Sequence, residues 1–89
     1  MFKKGDIVTW TSQSQGHTLT KTGEIIMVVS PGSSVRNAAQ VFSNHKLRFF
    51  PHMALPRKEE SYFVSVSDGK TDKAMRSLYW PRVSSLKKV

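Results

Sequence analysis

Three histidines, His17, His45 and His52, are the residues of this sequence that first invite a chemical reading. A zinc site gathers His, Cys or carboxylate ligands at close spacing. These three stand in separate polar stretches without carboxylate company, and the chain has no cysteine to add a thiolate. No metal is expected, although each imidazole, once protonated, suits contact with a phosphate. The many serines are spread through turns and strand faces, with no nucleophile elbow to activate one. The six acidic residues lie mostly beside lysines or at turns, which leaves no carboxylate pair for hydrolysis, and no Gly-rich phosphate loop opens a helix. The expectation is a protein without catalysis or cofactor.

The cations carry more information. Fourteen Lys and Arg against six Asp and Glu leave a net charge of +8, which favours association with phosphates or acidic surfaces. Arg36, Lys46, Arg48, Arg57 and Lys58 fall in one stretch, interleaved with Phe42, Phe49 and Phe50. Cations neutralise backbone phosphates and release counterions, while exposed rings stack on unpaired bases. A second set, Lys70, Lys73, Arg76 and Arg82, flanks Tyr79 and Trp80, with Lys87 and Lys88 close behind in the sequence. The plainer alternative is that the phenylalanines pack this stretch onto the rest of the domain and that the cations are a solvated exterior guarding edge strands.

These residues need elements to position them. Eighty-nine residues predict one domain around one core, and a 38% hydrophobic content is enough to fold it. No disulfide helps, and nothing in the chain asks for an oxidising compartment. No apolar run is long enough for a signal core or a membrane span, so a cytoplasmic protein is expected. From Asp6 to Ser12 the pattern alternates, Val8 and Trp10 facing one way and Ile7, Thr9 and Thr11 the other, after a Lys4-Gly5-Asp6 turn. Gln13 to Thr18 is polar and predicts an exposed loop. Gly23 to Val29, rich in β-branched residues, predicts a strand covered on both faces.

Val35, Ala38, Ala39 and Phe42 have helical spacing, so a short helix is expected there, with Ser33 or Ser34 as its N-cap and Asn44 near its end. Pro51 and Pro56 make the remainder extended loop. Ser61 to Ser67 alternates with Tyr62, Val64 and Val66 inwards, and Asp68-Gly69 supplies a turn. After a polar, basic connection from Lys70 to Ser77, Leu78-Tyr79-Trp80 is a short strand stopped by Pro81. Val83 to Leu86 suits one tight helical turn before a last strand ending at Val89. No internal repeat appears. Strands this short must close on themselves or stack, so the expected fold is mainly β: a small barrel of four to five short antiparallel strands with one long insertion at about 30–60 that carries the short helix.

The segments Lys4-Gly5-Asp6-x-Val8-x-Trp10 and Gly23-x-Ile25-x-x-Val28 resemble the opening hairpin of SH3-like and Tudor-like barrels. With Glu60-Ser61-Tyr62-Phe63-Val64-x-Val66 and Leu78-Tyr79-Trp80-Pro81-Arg82-Val83-Ser84-x-Leu86 added, the frame is similar to small uncharacterised proteins of bacteria and their phages. The resemblance implies an SH3-like barrel and no settled activity, and it leaves Ser30 to Glu59 unmatched. Tudor-like barrels that read methylated side chains use a cage of rings. Trp10, Tyr62, Tyr79 and Trp80 are the rings placed for one here, but strand phase puts Tyr62 in the core.

The expected function is a non-enzymatic binding module that engages DNA or RNA through the insertion and the 70–82 region. The alternative is an accessory module that docks on an acidic protein and inhibits or recruits it. An exposed strand edge leaves both monomer and homodimer open.

Overall fold

A computed structural model describes residues 2–14, 16–51, 53–67 and 76–89. Six strands form one sheet: β1 (Ile7–Ser14), β2 (His17–Val29), β3 (His45–Leu47), β4 (Ser61–Val66), β5 (Arg76–Tyr79) and β6 (Lys87–Lys88). Their order across the sheet is β3-β5-β4-β2-β1-β6. All neighbours are antiparallel except β3 and β5, which run parallel. The mainly β architecture follows the alternation in the sequence, but a strand more than expected is present. That strand, β3, lies in the stretch read as helix and loop, and it makes the one parallel pair among the described residues.

The Lys4-Gly5-Asp6 turn is built as its residues dictate. Gly5 has φ +96°, a left-handed conformation that its missing Cβ permits. The Asp6 carboxylate accepts a hydrogen bond from the Lys3 amide at 2.9 Å, and Gly5 and Ile25 close the turn onto β2 through main-chain bonds. Val8 and Trp10 then face inwards and Ile7 outwards, as the alternation predicts. The polar 13–18 segment is not a broad loop: β1 and β2 stay paired as far as Ser14↔His17. His17 to Thr20 are exposed, so this part of β2 gives no hydrophobic rhythm, yet it pairs with β1 residue by residue.

β2 is long because it serves two partners, β1 along its first part and β4 along its last. Gly23 sits at the change. A Cβ there would lie 2.5 Å from the Ser65 carbonyl oxygen and under 3 Å from the Val64 and Val66 side chains. At this approach only a residue without a side chain fits. Further on, Ile25 pairs with Val64 but Met27 with Phe63, so one extra residue bulges out between them. The bulge reverses the phase of the strand. Ile25 and Val28 consequently pack on one side of the sheet, and Ile26 and Val29 on the other.

Two hydrophobic clusters result, where the sequence predicts one core. The first joins Val8, Trp10, Ile25, Tyr62, Val64 and Leu86; the second joins Val29, Val35, Ala38, Phe63 and Leu78, with Phe42, Leu47, Phe49, Ala54 and Trp80 packed against it. β4 separates them. Tyr62 and Val64 face the first cluster as strand phase requires, and Phe63 faces the second, so Ser61 to Ser65 are buried on both faces rather than on alternate ones. Burying the Phe63 ring contributes about 2–3 kcal/mol. The insertion at 30–60 is what covers that side.

The helix is shorter than expected, Ala38–Val41, with Asn37 rather than Ser33 or Ser34 as its N-cap and Phe42 as its C-cap. The Ser34 hydroxyl is used earlier, accepting from the Arg36 amide at 3.3 Å. The two ends of the insertion are tied by a 2.8 Å bond from the Gly32 amide to the Arg57 carbonyl. At the C-terminus a single 3-10 turn (Val83–Ser85) redirects the chain, Leu86 seals the first cluster, and β6 pairs with β1. The Lys88 ammonium lies 3.8 Å from the Asp6 carboxylate across that pairing.

Candidate functional site

The predicted ring candidates divide by burial. Phe42 and Phe49 are half-buried in the second cluster, where both lie against Phe63: Phe42 edge-on at 5.6 Å and Phe49 stacked at 5.5 Å. They hold the insertion to the sheet. Tyr79 is half-buried against Trp10, with ring centroids 5.6 Å apart. Phe50 alone among the five is open to solvent, with 76% of its surface exposed. The alternation around β3 explains this. Leu47 and Phe49 point into the cluster, while Lys46, Arg48 and Phe50 are exposed.

Trp80 is fixed on several sides. Its indole N–H donates to the Ser61 hydroxyl at 2.8 Å, and its ring meets Phe49 at 5.7 Å and Phe63 at 5.9 Å. The Arg57 guanidinium lies over the ring, 3.8 Å from its centroid, a cation–π contact. Arg57 also donates 2.7 and 2.8 Å hydrogen bonds to the carbonyl oxygens of Pro81 and Trp80. Burial lowers the pKa of this guanidinium, Glu59 opposes that shift and nearby Arg82 adds to it. A guanidinium keeps its proton under any ordinary condition, so the net effect is a charge held at one place.

Phe49, Phe50, Met53, Ala54, Leu55, Arg57 and Trp80 line an open cavity of about 400 Å³. Met53 and Leu55 are 81% and 82% exposed. Behind the ridge that they form, Arg36 lines a second open groove with Ser34, Ala54 and Pro56. The loop is thus apolar at its crest, with Arg36, Lys58 and Arg82 exposed at its flanks and Glu59 exposed beside Lys58 in the chain.

The other predicted cations lie elsewhere. Lys46 and Arg48 are exposed on and just beyond β3, and the Arg48 amide donates to the Leu78 carbonyl at 2.9 Å. Arg76 opens β5 opposite His45. Lys70 and Lys73 lie outside the described residues, as does His52. One cation escapes sequence reading: Lys21 pairs with Trp10 across the hairpin and carries its ammonium 5.5 Å from the Tyr79 centroid. Nothing short of the β1–β2 register would have revealed it.

His45 is held between elements. Nδ1 lies 2.9 Å from the Asn44 amide oxygen and Nε2 lies 3.0 Å from the Ser65 hydroxyl, while Phe42 meets the ring edge-on. Burial, and then the charge of Arg76, lower its pKa from the ordinary histidine value. His17 is exposed on β2. Among the described residues no three His, Asp or Glu side chains converge as metal ligands would. No helix among them is long and apolar enough to cross a membrane.

Compared with family models, with curated proteins and with solved structures, the chain matches none. The reading of the site therefore stands on its own residues.

Proposed function

We propose that this protein is a non-enzymatic nucleic-acid-binding module of SH3-like architecture, and that its contact surface is the cationic, ring-bearing loop around the 400 Å³ cavity. The observation that carries the reading is the fixed Arg57 guanidinium lining one cavity with the exposed Phe50 ring, with Lys58 exposed next to it in the chain and Arg82 near it in space. Phosphates supply most of the affinity for such a surface, and a positively charged rim meets them without needing sequence information. The net charge of +8 adds long-range attraction. The SH3-like part of the proposal is supported by the 3-10 turn before the last strand and by the pairing of β6 with β1. Lys46, Arg48 and Arg76, exposed on and beside β3 and β5, add cations beyond the cavity.

Titration of labelled single- and double-stranded oligonucleotides across a salt series tests this. Affinity should fall linearly in a log–log plot, by about 0.9 per neutralised phosphate on duplex and about 0.7 on single strand. Binding that is indifferent to salt removes the phosphate mechanism.

A second reading has one observation in its favour. Met53 and Leu55 stand exposed where an acidic protein with an apolar centre would cover them. A complex that survives nuclease treatment, with purified protein giving no oligonucleotide binding, would establish that reading in place of the first.

A further inference from the structure

Resting on the nucleic-acid reading, we infer that the cavity between Phe50 and Arg57 is a seat for one unpaired base, which makes single-stranded nucleic acid the ligand class. Three features of the cavity converge on this.

The first is that two planar groups line the cavity. Phe50 offers an exposed ring, and Arg57 offers a guanidinium held over Trp80, 3.8 Å from its centroid. Bases stack on aromatic rings and on guanidinium planes alike. Because two of the Arg57 nitrogens are committed to the Trp80 and Pro81 carbonyls, the plane is held in place before any ligand arrives. The second is the chemistry of the remaining wall. Ala54, Met53 and Leu55 are apolar, and pockets that receive an unstacked base flank it with apolar and aromatic side chains. The third is charge at the mouth, where Arg57 lies near Arg82 and Lys58 follows it in the chain, so the phosphates on either side of the seated base meet cations. A duplex keeps its bases stacked and paired, so it reaches the cations but not the seat.

The test measures three ligands against three proteins by fluorescence anisotropy at low salt: a dodecamer of dT, a dodecamer of dA and a blunt mixed-sequence duplex, with wild type, Phe50→Leu and Phe50→Tyr. Phe50 is exposed, so neither change should disturb the fold, and thermal melting checks this. At least one single strand should bind about tenfold or more tighter than duplex. Phe50→Leu, which keeps an apolar side chain and loses the ring, should weaken single-strand binding by roughly 5- to 150-fold, and Phe50→Tyr should restore it. Duplex binding should not change. Equal affinity for both forms, or single-strand binding indifferent to Phe50→Leu, overturns the base seat and leaves the nucleic-acid reading standing. No binding of any oligonucleotide overturns that reading as well, and the surface passes to the protein-partner account.

Discussion

Arg57 reaches across from the end of the insertion to lie over the Trp80 ring at 3.8 Å while its two terminal nitrogens donate to main-chain oxygens of Trp80 and Pro81. One side chain thus fastens the insertion to the segment after β5 and at the same time forms a wall of the candidate site. The two roles separate on substitution. Lysine keeps the charge but has neither the plane nor the fork needed for two parallel hydrogen bonds.

For Arg57→Lys the expected outcome is therefore a loss of about 1.5–3 kcal/mol in stability, the range for hydrogen bonds to charged groups. The midpoint of urea unfolding should move down with an unchanged slope. The salt dependence of oligonucleotide binding should keep its slope, because the number of cations is the same. An unchanged midpoint would show that the contact contributes nothing to the fold.

Gly23→Ala should cost on the order of 3 kcal/mol, since the new methyl would meet the Ser65 carbonyl at 2.5 Å and neither strand can withdraw without breaking its ladder. Thermal melting of this variant beside Gly16→Ala separates sterics from backbone conformation. Gly16 has open space around its Cβ position and φ +82°, so its penalty comes from the left-handed backbone, about 1–2 kcal/mol. If Gly23→Ala melts with wild type, the close approach of β2 and β4 is wrong.

His45 should give a pH-dependent term of definite sign. Its pKa is lowered on folding, by burial first and by Arg76 second, so the unfolded chain binds the proton more readily than the native one. The neutral ring's contribution is complete above the unfolded value of about 6.5 and is lost as pH falls through the lower native value. Among the described residues the groups recorded against it are Asn44, Ser65, Phe42 and Arg76, none of them a carboxylate. The stability difference between wild type and His45→Gln, measured by urea unfolding from pH 8 to pH 4, should shrink toward acid. A difference that grows toward acid would reverse the assignment.

Much of the sheet was legible in the chain because alternation is a local signal. Val8 and Trp10, Tyr62 and Val64, and the turn at Val83–Ser85 were all read with their orientation. β3 was not, since His45, Lys46 and Leu47 are too few to show a period and their strand exists through pairing with β5, far along the chain. Phe63 misled for a related reason. A period of two says which residues share a face, but not that an insertion will cover the opposite face. The site inherits both limits: Phe42, Phe49 and Phe50 look alike by composition, and only the end of α1 for Phe42, and the phase of β3 and its continuation for Phe49 and Phe50, send two to the interior and leave one outside.

The single surplus residue between Ile25 and Met27 has a mechanical meaning for the whole domain. It acts as a half-twist in a belt, turning what was the inner surface outward so that one continuous ribbon can run over two pulleys. Without that bulge Met27 rather than Val28 would stand opposite Tyr62, on the side of Ile25, and Val28 would turn to the side of Phe63. The sheet face beneath the ring-bearing loop is therefore set, relative to the β1–β2 hairpin, by one position.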